Sequence, residues 1–208
     1  MKENKEIVII NTGGTFSKEY NKVKGELEVK CDKIYPFLKE KLILSPSVKT
    51  EYKKMICKDS LFITCKERML LAKEIVKIHK EKDINRFVII HGTDTMHKTA
   101  RFLEKFLLTL SAKEKKDYNK KLTITFTGAM VPLSINQTEA SANFACALVN
   151  SQNAPGGIYI AMNGICSHYL NISKDYKNGV FILKKFSKKD IERIDSEMDI
   201  DKLLFEEI

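Results

Sequence analysis

Nowhere in the 208 residues does an apolar run approach the roughly 18 residues that a membrane-spanning helix needs, so no membrane partner is expected. The nucleotide fingerprints G-x-G-x-x-G and G-x-x-x-x-G-K-[ST] are missing too, and the Gly-rich turns that do occur do not read as phosphate loops. Cysteine appears only at Cys31, Cys57, Cys65, Cys146 and Cys166, an odd number at wide spacings without a C-x-x-C. This pattern suits reduced cytosolic thiols used in packing better than disulfides or zinc ligands. His79, His91, His97 and His168 fall at unrelated spacings, and His91 reads as strand-end packing, so neither a metal nor a cofactor is expected. Arginine is scarce: against a formal charge of +9, only Arg68, Arg86, Arg101 and Arg193 interrupt a basic complement that is otherwise dispersed lysine. Nucleic acid is therefore not an expected partner, because specific recognition favours clustered Arg with aromatics nearby; a loose attraction for polyanions is all the charge implies. No repeat or low-complexity tract is visible. The segment Met1–Glu6 is charged and the apolar run after it stops at Ile10, shorter than a secretory core of roughly 7–15 residues, which again fits a cytoplasmic location.

A hydrophobic share of 43% with 30% charged residues is ordinary for a soluble globular chain, and the length suits one domain over residues 1–208. The stretch IVIINTGGT, Ile7 to Thr15, organises the reading. Its β-branched run predicts a short buried strand, and Gly13 and Gly14 turn the chain so that Thr15 is delivered beyond the strand end. A polar segment with Tyr20 and a hairpin around Lys24 and Gly25 follows, of the kind that forms lids over strand ends. A helix is predicted from Ile34 to Leu44, with Pro36 near its start, then a weaker strand over Glu51–Cys57. Thr64 and Glu67 form a capping box that opens a helix to about Lys82. Arg86–His91 is a second buried strand ended by glycine, and a helix is expected from Thr95 to about Leu110. Ser111–Lys121 reads as a solvated, charge-dense insertion. Leu122–Thr127 is a third strand, Thr138 or Ser141 is placed to cap the next helix, and Gly157–Met162 is a fourth strand. A polar stretch then runs through Lys174, Gly179–Leu183 is a last short strand, and an amphipathic, acidic helical tail begins at about residue 184.

Strands alternating with helices predict the doubly wound α/β class, a mainly parallel sheet with helices on both faces. Ligands bind such sheets outside the carboxyl ends of the strands, so Thr15, Ser60, Thr93, Asp94 and Ala129 are expected to converge on one edge. Hydroxyls, a carboxylate and an ionisable lysine at one mouth suit nucleophilic attack on an acyl group, since a threonine hydroxyl is weak until a neighbour takes its proton. Backbone amides at the Gly turns are candidate oxyanion donors. Hydroxyls at strand ends also cap helices, and Thr95 is read that way.

The runs TGGTF at 12–16 and HGTDTM at 91–96 together resemble the L-asparaginase family. KDS at 58–60, TGAM at 127–130, ASANF at 140–144, AMNG at 161–164 and NISK at 171–174 extend the resemblance in order from Ile7 to Leu183. It is strongest to the short, single-domain asparaginases, and it implies the fold of the asparaginase amino-terminal domain. Thr15 then looks like the acylated nucleophile, Thr93 and Asp94 like the second threonine and the aspartate that contacts the substrate α-amino group, and Lys174 like the base partner of Thr93. Ser60 resembles the serine that binds the α-carboxylate, Ala129 the residue whose carbonyl meets the side-chain amide, and Tyr20 the tyrosine of the lid. The implied reaction is hydrolysis of L-asparagine through an acyl-threonine, releasing ammonia and then aspartate, with a small amino-acid amide as substrate and no metal.

The chain departs from the long forms in two places. Leu61 and Phe62 stand where a polar residue follows the binding serine. The carboxy-terminal domain that lends an acidic group to a neighbouring site is expected to be missing, so the resemblance implies a homo-oligomer, a dimer or tetramer, that completes the pocket with the tail or the Ser111–Lys121 segment. Two other readings are an inactive amino-acid-binding relative and an amidase subunit of a tRNA-dependent amidotransferase.

Overall fold

The structure, a computed structural model, describes residues 6–41 and 44–198. Its centre is a six-stranded sheet in the order β4 (Thr50–Lys58), β1 (Ile7–Gly13), β5 (Arg86–Ile90), β6 (Thr123–Thr127), β7 (Gly157–Met162), β8 (Ile165–His168). Every pairing from β4 to β7 is parallel, and only the edge strand β8 runs antiparallel. The interior strands are buried on both faces, which is why they read as unbroken apolar runs rather than alternating ones. Alternation sorts their side chains all the same. Val8, Ile10, Phe87 and Ile89 pack towards α2 (Cys65–Lys82) and α3 (Met96–Glu114). Ile7, Ile9, Val88 and Ile90 pack towards α1 (Ile34–Lys41) and α5 (Gln137–Asn153).

Several local expectations need correction. The helix predicted to Leu44 is seen to Lys41, and residues 42 and 43 lie outside the described set. The charge-dense segment is more than a solvated insertion: α3 continues to Glu114, and a short helix, α4 (Tyr118–Lys121), buries the Tyr118 ring against His79. Asn136, not Thr138 or Ser141, caps α5 by accepting from the Thr138 amide. The polar stretch before Lys174 contains β8 and β9 (Ile172–Asp175). The last predicted strand, β10 (Val180–Leu183), pairs with β9 rather than joining the main sheet. The expected hairpin around Lys24 and Gly25 is present as β2 (Lys18–Asn21) and β3 (Glu26–Val29). The tail forms α6 (Lys188–Met198), clamped onto α3 by paired hydrogen bonds from Arg101 to Asp195; residues 199–208 lie outside the described set.

The reading of the cysteines as reduced thiols is overturned by a disulfide between Cys31 and Cys57, whose Cα atoms are 5.9 Å apart across 26 residues of sequence. Spacing along the chain could not reveal it, because the hairpin returns the chain to the end of β4 and only the fold makes the two residues neighbours. Cys65, Cys146 and Cys166 are free. Closing a loop of this length stabilises a fold by roughly 3 kcal/mol in the chain-entropy account. Reductant is therefore expected to lower the Tm of the wild type and to leave that of a Cys31→Ser/Cys57→Ser variant where it stands. An unchanged wild-type Tm on complete reduction would remove the disulfide from the stability of the fold.

Candidate active site

The site edge is assembled by close backbone approaches at the carboxyl ends of β1, β5 and β6. Gly14 has φ +77°, and a Cβ there would lie 2.3 Å from Gly92 Cα, so glycine is required both for the turn and for the contact. A Cβ on Gly92 would lie 2.5 Å from Ser60 Oγ, and one on Gly128 would meet the Thr93 methyl at 3.4 Å. These contacts bring the turn before Thr15, the Ser60 segment, the Thr93–Asp94 loop and the Gly128–Ala129 loop to one place. Lys174, on β9, completes the group. Its Nζ donates to Thr93 Oγ1 at 2.8 Å and to Asp94 Oδ1 at 2.7 Å, with its side chain only 9% exposed.

Ser60 is buried, and its Oγ has no hydrogen-bond partner among the described residues. A buried hydroxyl without a partner is costly, so its orientation toward the Gly92 turn marks a place where a polar ligand group would be stabilised. Ala129 is fully buried, and the loop that carries it is braced from both sides. Asn143 donates to Gly128 O at 3.0 Å, while the Glu139 carboxylate accepts from the Met130 and Val131 amides. Asn143 also accepts from the Asn163 amide, and Asn163 Oδ1 accepts from Phe181 N on β10, opposite Lys174. Sequence reading passed over Glu139 and saw Asn143 and Asn163 only as parts of motifs. The available signal was an asparagine on the apolar stripe of a helix, a position that is unfavourable unless its amide is bonded.

Two expectations fare differently. Tyr20 stands 58% exposed on the hairpin, its hydroxyl 4.0 Å from a Cβ built on Gly25, and among the described residues no hydrogen bond joins it to the Lys174 group. An aromatic ring does lie at the mouth, that of Tyr176, which sits 5.1 Å from Lys174 Nζ and donates a hydrogen bond to Asp94 O. Nor do the amides of the first Gly turn point at the cleft. Gly13 N donates to Asn11 Oδ1 and Gly14 N to Lys58 O. The Thr15 amide opens a 3-10 turn (Thr15–Ser17), where first-turn donors have no partner within the helix, and it is the better oxyanion candidate. Thr95 stands at the N-cap position of α3 but makes no cap bond; its hydroxyl donates to Ser60 O at 2.9 Å instead.

The start of the β2–β3 hairpin is held beside Ser60. Lys18 pairs with Asp59 at 2.9 Å; burial raises the affinity of this carboxyl for a proton, but the bonds from Lys18 and the Leu61 amide outweigh it and hold the group below the usual carboxylate range. Behind the site, burial lowers His91 to about 4, and the Arg68 charge adds to the effect while the hydrogen bond to Gly92 O opposes it. Burial likewise lowers His97 to about 4, with help from Lys98. An unfolded histidine takes up its proton near pH 6.5. Both groups therefore contribute stability that is complete above about pH 6.5 and is lost as the pH falls through about 4. Urea midpoints are expected to decline steadily across that interval; a flat profile would show that neither imidazole is held neutral.

Comparison with known proteins points to one family and one fold. The sequence matches the family model described as Asparaginase, N-terminal over residues 6–202. It is similar to the L-asparaginase of Thermococcus kodakarensis, 22% identical over 185 residues, covering 89% of this chain and 52% of that one. It is also similar to the glutaminase-asparaginase of Acinetobacter glutaminasificans, 33% identical over 104 residues, covering 49% of this chain and 28% of the relative. The chain thus spans about half the length of the first curated relative and just over a quarter of the second. The solved Thermococcus kodakarensis structure superposes with a TM-score of 0.71 at 20% identity, over 88% of this chain and 52% of its own. The probable cytoplasmic L-asparaginase from Campylobacter jejuni does so with 0.63 at 24% identity, over 85% and 50%. At these identities the structural likeness is one of fold.

Proposed function

The chain belongs to the asparaginase family, and from that premise we propose that it hydrolyses the side-chain amide of L-asparagine to L-aspartate and ammonia through an acyl-threonine on Thr15. The observation that carries this reading is the single Lys174 ammonium shared between Thr93 Oγ1 and Asp94 Oδ1, at the edge where the turn before Thr15 packs on Gly92. In the first step the Thr15 hydroxyl oxygen bonds to the amide carbon, the C–N bond breaks, and the hydroxyl proton leaves with ammonia. In the second, a water held by Thr93 attacks the ester, returning the proton to Thr15 and freeing aspartate. Thr93 accepts a hydrogen bond from Lys174, so its own hydroxyl hydrogen is free to be directed at substrate or water, and Lys174 is its partner in proton transfer. Ser60 receives the α-carboxylate, Asp94 the α-amino group, and the Ala129 carbonyl the amide nitrogen. No step calls for a metal or cofactor.

A single domain spanning residues 1–208 remains part of the proposal. Leu61, Phe62 and Tyr176 are each well exposed beside the mouth, which favours self-association there. A cytoplasmic setting is carried on likeness to the Campylobacter jejuni protein, and the Cys31–Cys57 bond weighs against it. Neither the binding-only relative nor the amidotransferase subunit gains support from the site. A coupled ammonia assay on L-asparagine and L-glutamine tests the reading: release from L-asparagine is expected, and release from neither overturns it.

A further inference from the structure

Arg68, on the first turns of α2, is 4% exposed, and among the described residues no carboxylate bonds it. Glu67, its chain neighbour, turns instead to Lys58 and Thr64. The guanidinium donates to three neutral oxygens: Nε to Thr99 Oγ1 at 3.0 Å, one terminal nitrogen to Ile63 O at 2.7 Å and the other to Thr95 Oγ1 at 3.4 Å. Burying a guanidinium without a counter-charge is expensive, and proteins retain such groups where a ligand or a function offsets the cost.

The directions of the bonds show what the charge organises. Arg68 can only donate, so Thr99 accepts from it and passes its own hydrogen to His91 Nε2 at 2.9 Å. His91 then donates from Nδ1 to Gly92 O at 2.8 Å, which fixes the peptide that leads into Thr93 and Asp94. On the other side Thr95 accepts from Arg68 and donates to Ser60 O at 2.9 Å, while Ile63 O anchors the end of the Ser60 segment. One cation therefore spans both loops that the proposed function places against the substrate, directly behind a serine whose hydroxyl has no partner among the described residues.

We propose that Arg68 is a positioning residue for the substrate α-carboxylate, holding the Ser60 segment and the 91–94 loop in register while its charge, which no carboxylate bonds among the described residues, favours an anion at Ser60. This rests on the reading of Ser60 as the carboxylate site.

The test compares L-asparagine with L-asparaginamide, which lacks the α-carboxylate charge, in the wild type, Arg68→Met and Arg68→Lys. The ratio of kcat/KM for the two substrates is expected to fall about tenfold in Arg68→Met, the scale of one unit charge acting across a protein interior. The change is expected mainly in the KM for L-asparagine, and Arg68→Lys should recover most of the ratio. Equal losses on both substrates, or no loss, would overturn the proposal, because a merely structural role moves both alike. If Arg68→Met does not fold, Arg68→Gln, which keeps a donor for Ile63, is judged by the same criterion. A wild type that neither hydrolyses L-asparagine nor binds L-aspartate overturns the functional reading itself, and this proposal with it. A working wild type matched by its Arg68 variants overturns this proposal alone.

Discussion

Thr15→Ala is expected to lower kcat/KM for L-asparagine by roughly 10⁴-fold or more, the scale seen when a nucleophile is removed from a covalent mechanism. The thermal midpoint should hardly move. Thr15 is half-buried at the start of a 3-10 turn, and its side chain enters no hydrogen bond among the described residues, so loss of the hydroxyl leaves neither a cavity of consequence nor an orphaned partner. The turn that positions it depends on Gly13 and Gly14 and on the bond from Gly14 N to Lys58 O, and these remain in the variant. Activity assays beside a thermal melt separate the two effects. Turnover near that of the wild type would remove Thr15 from the chemistry, whereas a large fall in Tm would show that the residue is structural.

Lys174→Met should depress kcat by roughly 10²–10⁴-fold, the usual worth of general acid–base assistance, with a much smaller change in KM. The methionine keeps much of the side-chain volume packed near the Tyr176 ring but removes the donor to Thr93 and the cation paired with Asp94. Asp94 then loses its partner, yet its side chain is 36% exposed, so water can solvate it and the loss of stability should be modest. A KM effect that dominates would reassign Lys174 to binding.

The central sheet was legible because strands covered on both faces need no alternation: Ile7–Ile10, Arg86–Ile90 and Thr123–Thr127 announce themselves as runs rich in β-branched residues with a glycine close behind, at Gly13, Gly92 and Gly128. The start of α2 was legible for a different reason, since Thr64 and Glu67 satisfy each other's orphan donors locally. What failed to show depends on contacts between distant residues. The strands β8 and β9 are only partly buried and carry Ser167, His168, Ser173 and Lys174, so their pairing leaves little hydrophobic signal. Tyr118 looked like part of a charged surface because its burial needs His79 from another helix. The Cys31–Cys57 bond needs the hairpin to fold back. At the site, motif residues such as Thr93 and Lys174 were visible as types in order, whereas Asn143, Glu139 and Arg68 act through bonds that only the folded loops create.

The most direct test of a shared rim of hydroxyls and one amine is a crystal structure with L-aspartate bound. The account predicts the α-carboxylate on Ser60, the amino group on Asp94, and the β-carboxyl within hydrogen-bond reach of both Thr15 and Thr93. Aspartate bound elsewhere, or a β-carboxyl turned away from Thr15, would contradict it.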